Sequence, residues 1–336
     1  MWTLAALLVL LAAACVLIGS VRIPPAKVLA ILTGSGSGNV AWDVIVTQAR
    51  LPMAATAALA GAALSVAGLL MQTAFNNPLA GPSILGVSTG ASLGVAVVML
   101  ALGGYVGTVS GTVIGGYIAS LLGAMLGAMA VMALLLLFSS AVKSSTMLLI
   151  AGIMVGYLAS SAISLLNFFA TEQGVHSYVI WGLGNFSGVT SGQLPAFAAI
   201  IILALAWAAL MAKPLNALLL GERYAQNLGV NIRRTRNLIL TITGFLTAAV
   251  TAFCGPIGFI GLVVPHIARL MLGSSSHNRL IPATILAGAD LALLCTLISV
   301  LPQKTGVIPI NAITPIIGVP VIIYIILNRK KINYFN

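Results

Sequence analysis

The sequence predicts an all-α membrane protein, a polytopic helical bundle of about ten transmembrane helices. Its residues are 60% hydrophobic and only 6% charged, with a mean hydropathy of +1.14, whereas soluble domains carry about 25% charged residues. A chain this apolar needs the bilayer as its solvent. It also contains 35 glycines, and small residues let helix backbones approach closely in lipid. Its long unbroken apolar runs are not the alternating segments of a β-barrel.

Runs of about 20 apolar residues, the length that spans a bilayer, predict ten passes within a single transmembrane domain, residues 1–336. We divide the long central run near Gly103-Gly104 and the run after residue 238 at Gly255-Pro256. The predicted spans are Trp2–Ser20, Leu51–Phe75, Ile84–Ala101, Val109–Phe138, Ser145–Phe169, Pro195–Ala212, Leu238–Phe253, Ile257–Leu272, Leu280–Leu301 and Ile308–Leu327.

Basic residues predict the orientation, because Lys and Arg concentrate in cytoplasmic loops. With ten passes and both termini in the cytoplasm, eleven of the 15 Lys and Arg residues lie inside. The four external ones are Arg22, Lys27, Arg50 and Lys304. This topology accounts for the net charge of +11, so we expect the lipid bilayer, and no nucleic acid, as the partner of the basic residues.

The sequence carries no motif for chemistry or energy conversion. It has no G-x-x-x-x-G-K-[ST], H-E-x-x-H or G-x-S-x-G motif, and no Cys, His or carboxylate cluster that predicts a metal site or a cofactor. Of its four acidic residues only Asp290 lies clearly within a span, whereas ion-coupled transporters place ionisable groups there. We therefore expect a transport subunit, not an enzyme, that a separate chain energises. An ion-coupled secondary transporter is the alternative.

Two irregular segments interrupt the predicted spans. Asn76–Ser88 and Cys254–His266 contain several Gly and Pro residues, which break helices. Each follows the first helix of a four-helix set, and the two sets have opposite predicted orientations, which indicates an inverted repeat. Because irregular backbone at membrane depth must be covered by protein or line a wet cavity, we assign the pathway or gate here. The assigned residues are Asn76, Asn77, Pro78, Leu85, Gly86, Val87 and Ser88.

Several motifs occur in the order found in one transporter family. They are Gln48–Pro52, Gly68–Gln72, Asn77–Ala80 and Leu85–Ala91 in the first half, and Ala225–Val230, Gly255–Arg269 and Pro315–Pro320 in the second. With these motifs the chain, from Val21 to Leu327, resembles the FecCD-type permeases. These are the membrane subunits of type II ABC importers for iron chelates, haem and cobalamin.

The resemblance implies a homodimer in the bacterial inner membrane, with the pathway at its two-fold axis. It implies two ABC ATPase subunits inside and an extracytoplasmic substrate-binding protein outside. One internal loop is similar to the coupling helices that seat in a cleft of the ATPase. Its residues are Gly221, Glu222, Arg223, Ala225, Gln226, Leu228 and Gly229.

The resemblance also implies a gate and a docking surface. The helix that starts near Ser144, Ser145 and Thr146 looks like the family's pathway-lining helix, and with Leu85–Ser88 it would form the cytoplasmic gate. Arg50 matches one of the external arginines that bind the substrate-binding protein. Two further docking positions hold Met53 and Val300 instead, and Lys304 lies near the second as a substitute charge.

Together these features predict the permease subunit of an ABC importer whose cargo is an iron chelate, a ferric siderophore. Cobalamin and haem are the alternative cargoes, because their carriers share the motifs. The separate ATPase would drive alternating access, and the binding protein would select the cargo.

Overall fold

The structure, a computed structural model, describes residues 1–103, 108–109, 112–113, 116–142, 144–302 and 307–327. Each of the ten predicted spans corresponds to one helix in these ranges, so the all-α bundle is confirmed. The ten helices are α1 (Trp2–Leu17), α4 (Leu51–Ala74), α5 (Val87–Ala96), α6 (Gly116–Ala141), α7 (Ser145–Phe169), α9 (Leu194–Leu210), α12 (Ile232–Cys254), α13 (Ile260–Leu272), α14 (His277–Val300) and α15 (Ile310–Leu327).

Short elements connect these helices. The predicted internal loop forms two short helices, as expected from its polarity. The five short helices are α2 (Pro25–Leu32), α3 (Val40–Val44), α8 (Glu172–Gly182), α10 (Ala212–Leu219) and α11 (Glu222–Asn227). Two π-helical segments (Ile45–Arg50 and Val97–Ala101), a 3₁₀ turn (Phe186–Gly188) and an antiparallel hairpin of β1 (Thr108–Val109) with β2 (Thr112–Val113) complete the described elements.

The helices differ in how much of a membrane they can cross. By length and composition, α6, α7, α12, α14 and the continuous helix Val40–Ala74 are long and apolar enough to span it, and α9 joins α10 at a 49° bend in a sixth candidate span. The remaining four, among them α5 and α13, are apolar but shorter. With 13 residues, α13 is about 20 Å long, less than the ~30 Å of the hydrocarbon core.

Two predicted boundaries were wrong. The span predicted from Leu51 belongs to a helix that begins at Val40, because the Asn39 side chain accepts a hydrogen bond from the Ala41 amide (3.0 Å) and starts the helix early. The span predicted from Val109 begins only at Gly116. The β-branched residues of 108–113 pair as strands instead, as their extended preference favours.

The helix α4 forms the centre of the bundle and packs against α9, α12, α13 and α14. The contacts are backbone to backbone. A Cβ on Gly61 would overlap the Gly288 carbonyl, and one on Gly68 would overlap the Gly261 carbonyl. Close approach of this kind is how helices associate in lipid, where apolar burial gives little gain. Part of the glycine content of the sequence thus serves the close crossing of helices.

We expect Gly61→Val to destabilise the protein by about 1–3 kcal/mol, because the added atoms must displace the α14 backbone. Thermal unfolding of the detergent-purified protein measures this as a lower Tm. The control is Gly192→Ala, at a glycine with open space around it and no positive φ. Equal Tm values for the two variants would contradict the packing account.

Candidate translocation site

A cavity of about 610 Å³ lies between α5, α7, α8, the segment before α13, and α15. Its described lining residues include no charged side chain. The cavity walls can therefore form hydrogen bonds with a solute but carry no charge on these residues. Weak contacts of this kind let a solute enter and leave. The hydroxyl-bearing lining residues, apart from a tyrosine of α8, are Ser83, Ser88, Thr89, Ser92, Ser160 and Ser164.

Of these hydroxyl residues only Ser88 was assigned to the pathway by name from the sequence. Ser83 lies in the same irregular segment, Ser160 and Ser164 lie on α7, whose start resembles that of the pathway-lining helix, and Thr89 and Ser92 lie on α5. The sequence does contain a pattern that could have identified four of these residues. Ser88 and Ser92 are four residues apart, and so are Ser160 and Ser164. Residues at that spacing share one face of a helix. A hydroxyl stripe on an otherwise apolar helix indicates a polar neighbour or a wet cavity.

Tyr178 brings the α8 helix to the same cavity. Burial raises the pKa of its phenol, while a hydrogen bond with Ser92 opposes that shift. The hydroxyl is therefore protonated near neutral pH and donates or accepts a hydrogen bond. The polar loop between α7 and α9 thus contributes part of the cavity wall, a role that the sequence analysis did not assign to it.

The non-helical parts of the two predicted irregular segments are shorter than predicted, residues 75–86 and 255–259. The rest of Cys254–His266 is helical, because α13 begins at Ile260 and accommodates Pro265 within it.

The two irregular segments meet in the interior of the bundle. A Cβ on Gly261 would lie 2.9 Å from the Pro82 ring, and Ser83 lines the cavity together with Pro256 and Ile257. Each segment thus covers the other, as non-helical backbone at membrane depth requires. The structure brings the two breaks to one place, although they are far apart in the sequence.

Gly86 packs the start of α5 against α7. It adopts a left-handed φ of 77°, and a Cβ there would lie 3.1 Å from the Gly152 carbonyl oxygen and 3.0 Å from the Gly156 amide nitrogen. The neighbouring side chains of Leu85 and Val87 are buried. Leu85 itself contacts Gly152. The predicted gate segment and the predicted pathway-lining helix are therefore in direct contact.

Ser88 continues this contact toward α12, where the Thr251 hydroxyl lies 3.4 Å from the Ser88 hydroxyl. At the start of α7, the Ser144 hydroxyl accepts a hydrogen bond from the Met147 amide (3.4 Å) and caps the helix. Thr146 is exposed on the first turn, and the Ser145 side chain is outside the described part of the chain. The gate function of these residues stays a prediction.

The remaining predicted pathway residues form the turn after α4. Asn76 has a left-handed φ of 44°, and the Asn77 side chain accepts a hydrogen bond from the Leu79 amide (2.9 Å). The Pro78 carbonyl oxygen lies 2.8 Å from His266 Nε2 on α13. His266 thus serves as a buried hydrogen-bonding residue that ties the first break to the second.

A buried polar cluster joins the ends of α4 and α13 beside this turn. The Arg269 guanidinium donates to the Gln72 side-chain oxygen (2.6 Å), and the Gln72 amide donates to the Leu262 carbonyl (3.1 Å). Adjacent to Gln72, the Thr73 hydroxyl lies 2.8 Å from His277 Nε2. Since buried charge-assisted hydrogen bonds are the strong ones, this cluster fixes α13 to α4.

The predicted coupling helix is a short exposed element, α11. Gly221 (φ 97°) precedes it and Gly229 (φ 84°) follows it, so two glycines in the left-handed region define its ends. Ala225 is fully buried and anchors the helix. The other predicted coupling residues, Glu222, Arg223, Gln226 and Leu228, are exposed. The helix is therefore anchored by Ala225 and leaves the other four residues exposed. Their coupling role stays a prediction.

Arg50, the predicted docking residue, points into the protein. Its guanidinium donates to the carbonyls of Val16 (2.9 Å) and Leu17 (2.8 Å) and to that of Val21, and only 3% of the residue is exposed. Arg50 thus satisfies carbonyl groups that the end of α1 leaves without helical partners. In this conformation it is a structural residue, and its docking role stays a prediction.

The other cations of the predicted external face differ in exposure. Arg22 and Lys27 are exposed, and Lys304 lies outside the described residues. Met53 is half-buried and Val300 is buried at 6% exposure, so neither presents a polar group to a partner. The exposed cations at this end, among the described residues, are therefore Arg22, which precedes α2, and Lys27, which lies within it.

The bundle, its two broken segments and its uncharged cavity define a polytopic helical permease. Comparison with known proteins gives the family, because residues 6–328 match the FecCD transport family. The chain belongs to this family, and it is an ABC importer permease. The predicted resemblance is confirmed, and the ion-coupled alternative is set aside.

Individual relatives cover most of the chain. The Vitamin B12 import system permease protein BtuC of Klebsiella pneumoniae is 36% identical over 329 residues, 98% of this chain and 92% of that protein. BtuC of Citrobacter koseri is 37% identical over 290 residues, 86% of this chain and 84% of that protein. A solved inward-facing conformation of a metal-chelate type ABC transporter matches with a TM-score of 0.82 and 30% identity over 98% of both chains.

We expect Gly86→Val and Ser88→Leu to reduce cargo uptake in proteoliposomes. The first forces a β-branched residue into a left-handed φ against α7, and the second fills the hydroxyl-lined cavity. Gly192→Ala is the matched control. Size-exclusion elution and Tm establish that the variants are assembled. Wild-type uptake by both assembled variants would contradict the gate assignment.

Proposed function

We propose that this chain forms the pathway through which a metal chelate crosses the bacterial inner membrane, with both of its termini in the cytoplasm. The observation that carries the proposal is the uncharged, hydroxyl-lined cavity where the two broken segments meet. A path of this kind binds cargo weakly, so that the cargo is not trapped midway. Selection then falls to a separate binding protein, and energy comes from separate ATPase subunits.

The first candidate cargo is cobalamin. Two permeases of vitamin B12 import systems share 36–37% of their residues with this chain over most of its length. The chemistry of the cavity supports this candidate, since the corrin ring of cobalamin carries amide groups that can exchange hydrogen bonds with the hydroxyls of the lining serines and threonine.

A ferric siderophore, the cargo predicted from the sequence, is the second candidate. It has its own support in the 30% identical metal-chelate type transporter. The positions of two family docking arginines hold Met53 and Val300, so the binding protein of this system meets a different surface. Haem is a third member of the same chemical class and belongs in the same test.

Three partners complete the proposed importer. A second copy of the chain would cover the apolar surface of α7, which includes the exposed Met154, Leu158 and Leu165. Two ABC ATPase subunits would receive α11. An extracytoplasmic binding protein would dock near α2, where Arg22 and Lys27 offer charges to its acidic groups.

The cargo test is stimulated ATP hydrolysis. The chain is reconstituted in liposomes with the ATPase and the binding protein encoded beside it, and cobalamin, ferric siderophores and haem are supplied in turn. We expect one loaded binding protein to raise the ATPase rate, with cobalamin the first candidate. Failure of the chain to assemble with any ATPase would overturn the proposal.

We expect Glu222→Ala combined with Arg223→Ala to weaken association with the ATPase by about fivefold, or roughly 1 kcal/mol, the upper value for exposed charges. Both residues are exposed on α11. The effect shrinks in high salt, because the ions screen surface charges. Lys213→Ala, an exposed cation on α10, is the control. Unchanged affinity at low salt would remove these residues from the coupling site.

The docking of the binding protein is tested by charge reversal. We expect Arg22→Glu and Lys27→Glu to slow its association at low ionic strength, because exposed charges steer encounter. Arg50→Glu is the contrasting variant, and we expect it to lower the Tm of the permease, since it removes the donors to the end of α1. Normal stability of Arg50→Glu together with weaker docking would return Arg50 to the docking surface.

A further inference from the structure

The buried guanidinium of Arg236 connects α12 with the end of α6. Its Nη2 donates to the carbonyls of Ser139 and Val142 (2.9 Å each), and its Nε donates to the Ser139 hydroxyl (3.2 Å). That hydroxyl donates in turn to the Asn237 side-chain oxygen (2.5 Å). Only 6% of Arg236 is exposed. One side chain therefore satisfies several groups of a neighbouring helix.

The acceptors lie at a place where the chain turns. The last carbonyls of a helix have no partner within it and carry partial negative charge, so a cation is favoured at the end of α6. Val142 stands two residues before Ser144, which caps α7. Arg236 thus holds the turn that leads into the helix lining the cavity, whose residues Ser160 and Ser164 face the pathway.

Arg236, the hydrogen-bond donor in this contact, lies close in the sequence to the coupling helix α11. It is on the second turn of α12. Only residues 228–231 separate the end of α11 from the start of α12. A displacement of the coupling helix therefore reaches Arg236 through a short stretch of chain.

We propose that Arg236 is a positioning residue that transmits displacement of α11 to the α6–α7 turn and so to the pathway. The inference rests on the proposed function, because it assumes that α11 receives the movement of an ATPase. The planar guanidinium suits this role, since it bonds several acceptors in a fixed geometry that a lysine cannot reproduce. A buried arginine that only capped α6 would affect stability without affecting coupling.

The test compares uptake per ATP hydrolysed in proteoliposomes that hold the complete transporter. We expect Arg236→Met, which removes the three hydrogen bonds of the guanidinium to Ser139 and Val142, to lower this ratio by about tenfold or more, because the loss of a single charge-assisted hydrogen bond already has an effect of that size. We expect ATPase association to be unchanged. Arg236→Lys retains the charge and gives an intermediate ratio. Ser139→Ala removes one acceptor without removing charge and lowers the ratio less. Arg279→Gln, an exposed cation of α14, behaves as wild type.

A second readout follows the α7 helix itself. Met147 is 63% exposed on its first turn, and the native cysteines Cys15, Cys254 and Cys295 are buried, so Met147→Cys accepts a charged maleimide selectively. We expect ATP with vanadate to change the labelling rate of Met147→Cys alone and to leave it unchanged when Arg236→Met is added.

The outcomes separate the two claims. An unchanged uptake-to-ATP ratio in Arg236→Met and Ser139→Ala, or a preserved ATP effect on labelling in Arg236→Met, would overturn the role of Arg236 and leave the importer intact. Absence of ATPase stimulation in the wild-type assembly would overturn the proposed function first.

Discussion

Every backbone polar group within the hydrocarbon core must find a partner inside the protein, and this constraint governs the whole arrangement. Two non-helical segments, residues 75–86 and 255–259, lie inside the bundle, and each is covered by the other. The contact of Pro82 with Gly261 and the bond between His266 and the Pro78 carbonyl close the interior. The cavity lies beside this meeting point, and helices α5 and α7 supply most of its hydroxyl groups.

The packing of the helices also indicates which of them are fixed and which can move. The α4 helix is held by glycine crossings and by the buried cluster of Gln72 and Arg269, so it serves as the fixed frame. Asn216 of α10 bonds His277 at the start of α14 (2.8 Å), which ties the base of the coupling region to that frame. By contrast, α7 is largely exposed in the single chain and meets α5 through glycines. Because few side chains of α7 interlock with neighbouring helices, we expect α7 to be the helix that moves.

The sequence predicted the ten apolar helices and their order, because apolar runs carry that information, but it did not predict that four of them are short. The short helix α11 was predicted too, from the resemblance of its loop to the coupling helices of the family; its exposed position is confirmed, and its coupling role stays a prediction. The sequence did not predict that Arg50 would turn inward to the end of α1, because hydrogen bonding to carbonyls of a distant helix leaves no local pattern. For the same reason the roles of Gln72, Arg236 and His277 were missed.

Cavity residues were partly predictable. Irregular segments such as Asn76–Ser88 can be recognised in the sequence by their Gly and Pro residues. Tyr178 could not be assigned to the cavity, because it lies in a loop that the hydropathy pattern places outside the membrane. The direct contact of Gly86 with Gly152 and Gly156 needed three-dimensional packing, although small residues four apart on α7 are a known sign of close helix approach. The cargo is not encoded in any single residue pattern, because an uncharged path serves several chelates.

The most direct test of the pathway is the water accessibility of Ser88→Cys during transport, since Ser88 lies where the gate segment meets the cavity. The three native cysteines are buried, so a small charged thiol reagent reports on this position. The account predicts that the reagent reacts in the reconstituted transporter, that reaction blocks uptake, and that cargo with ATP alters the rate. A thiol that stays unreactive throughout sustained uptake, or that reacts without any loss of uptake, would contradict it.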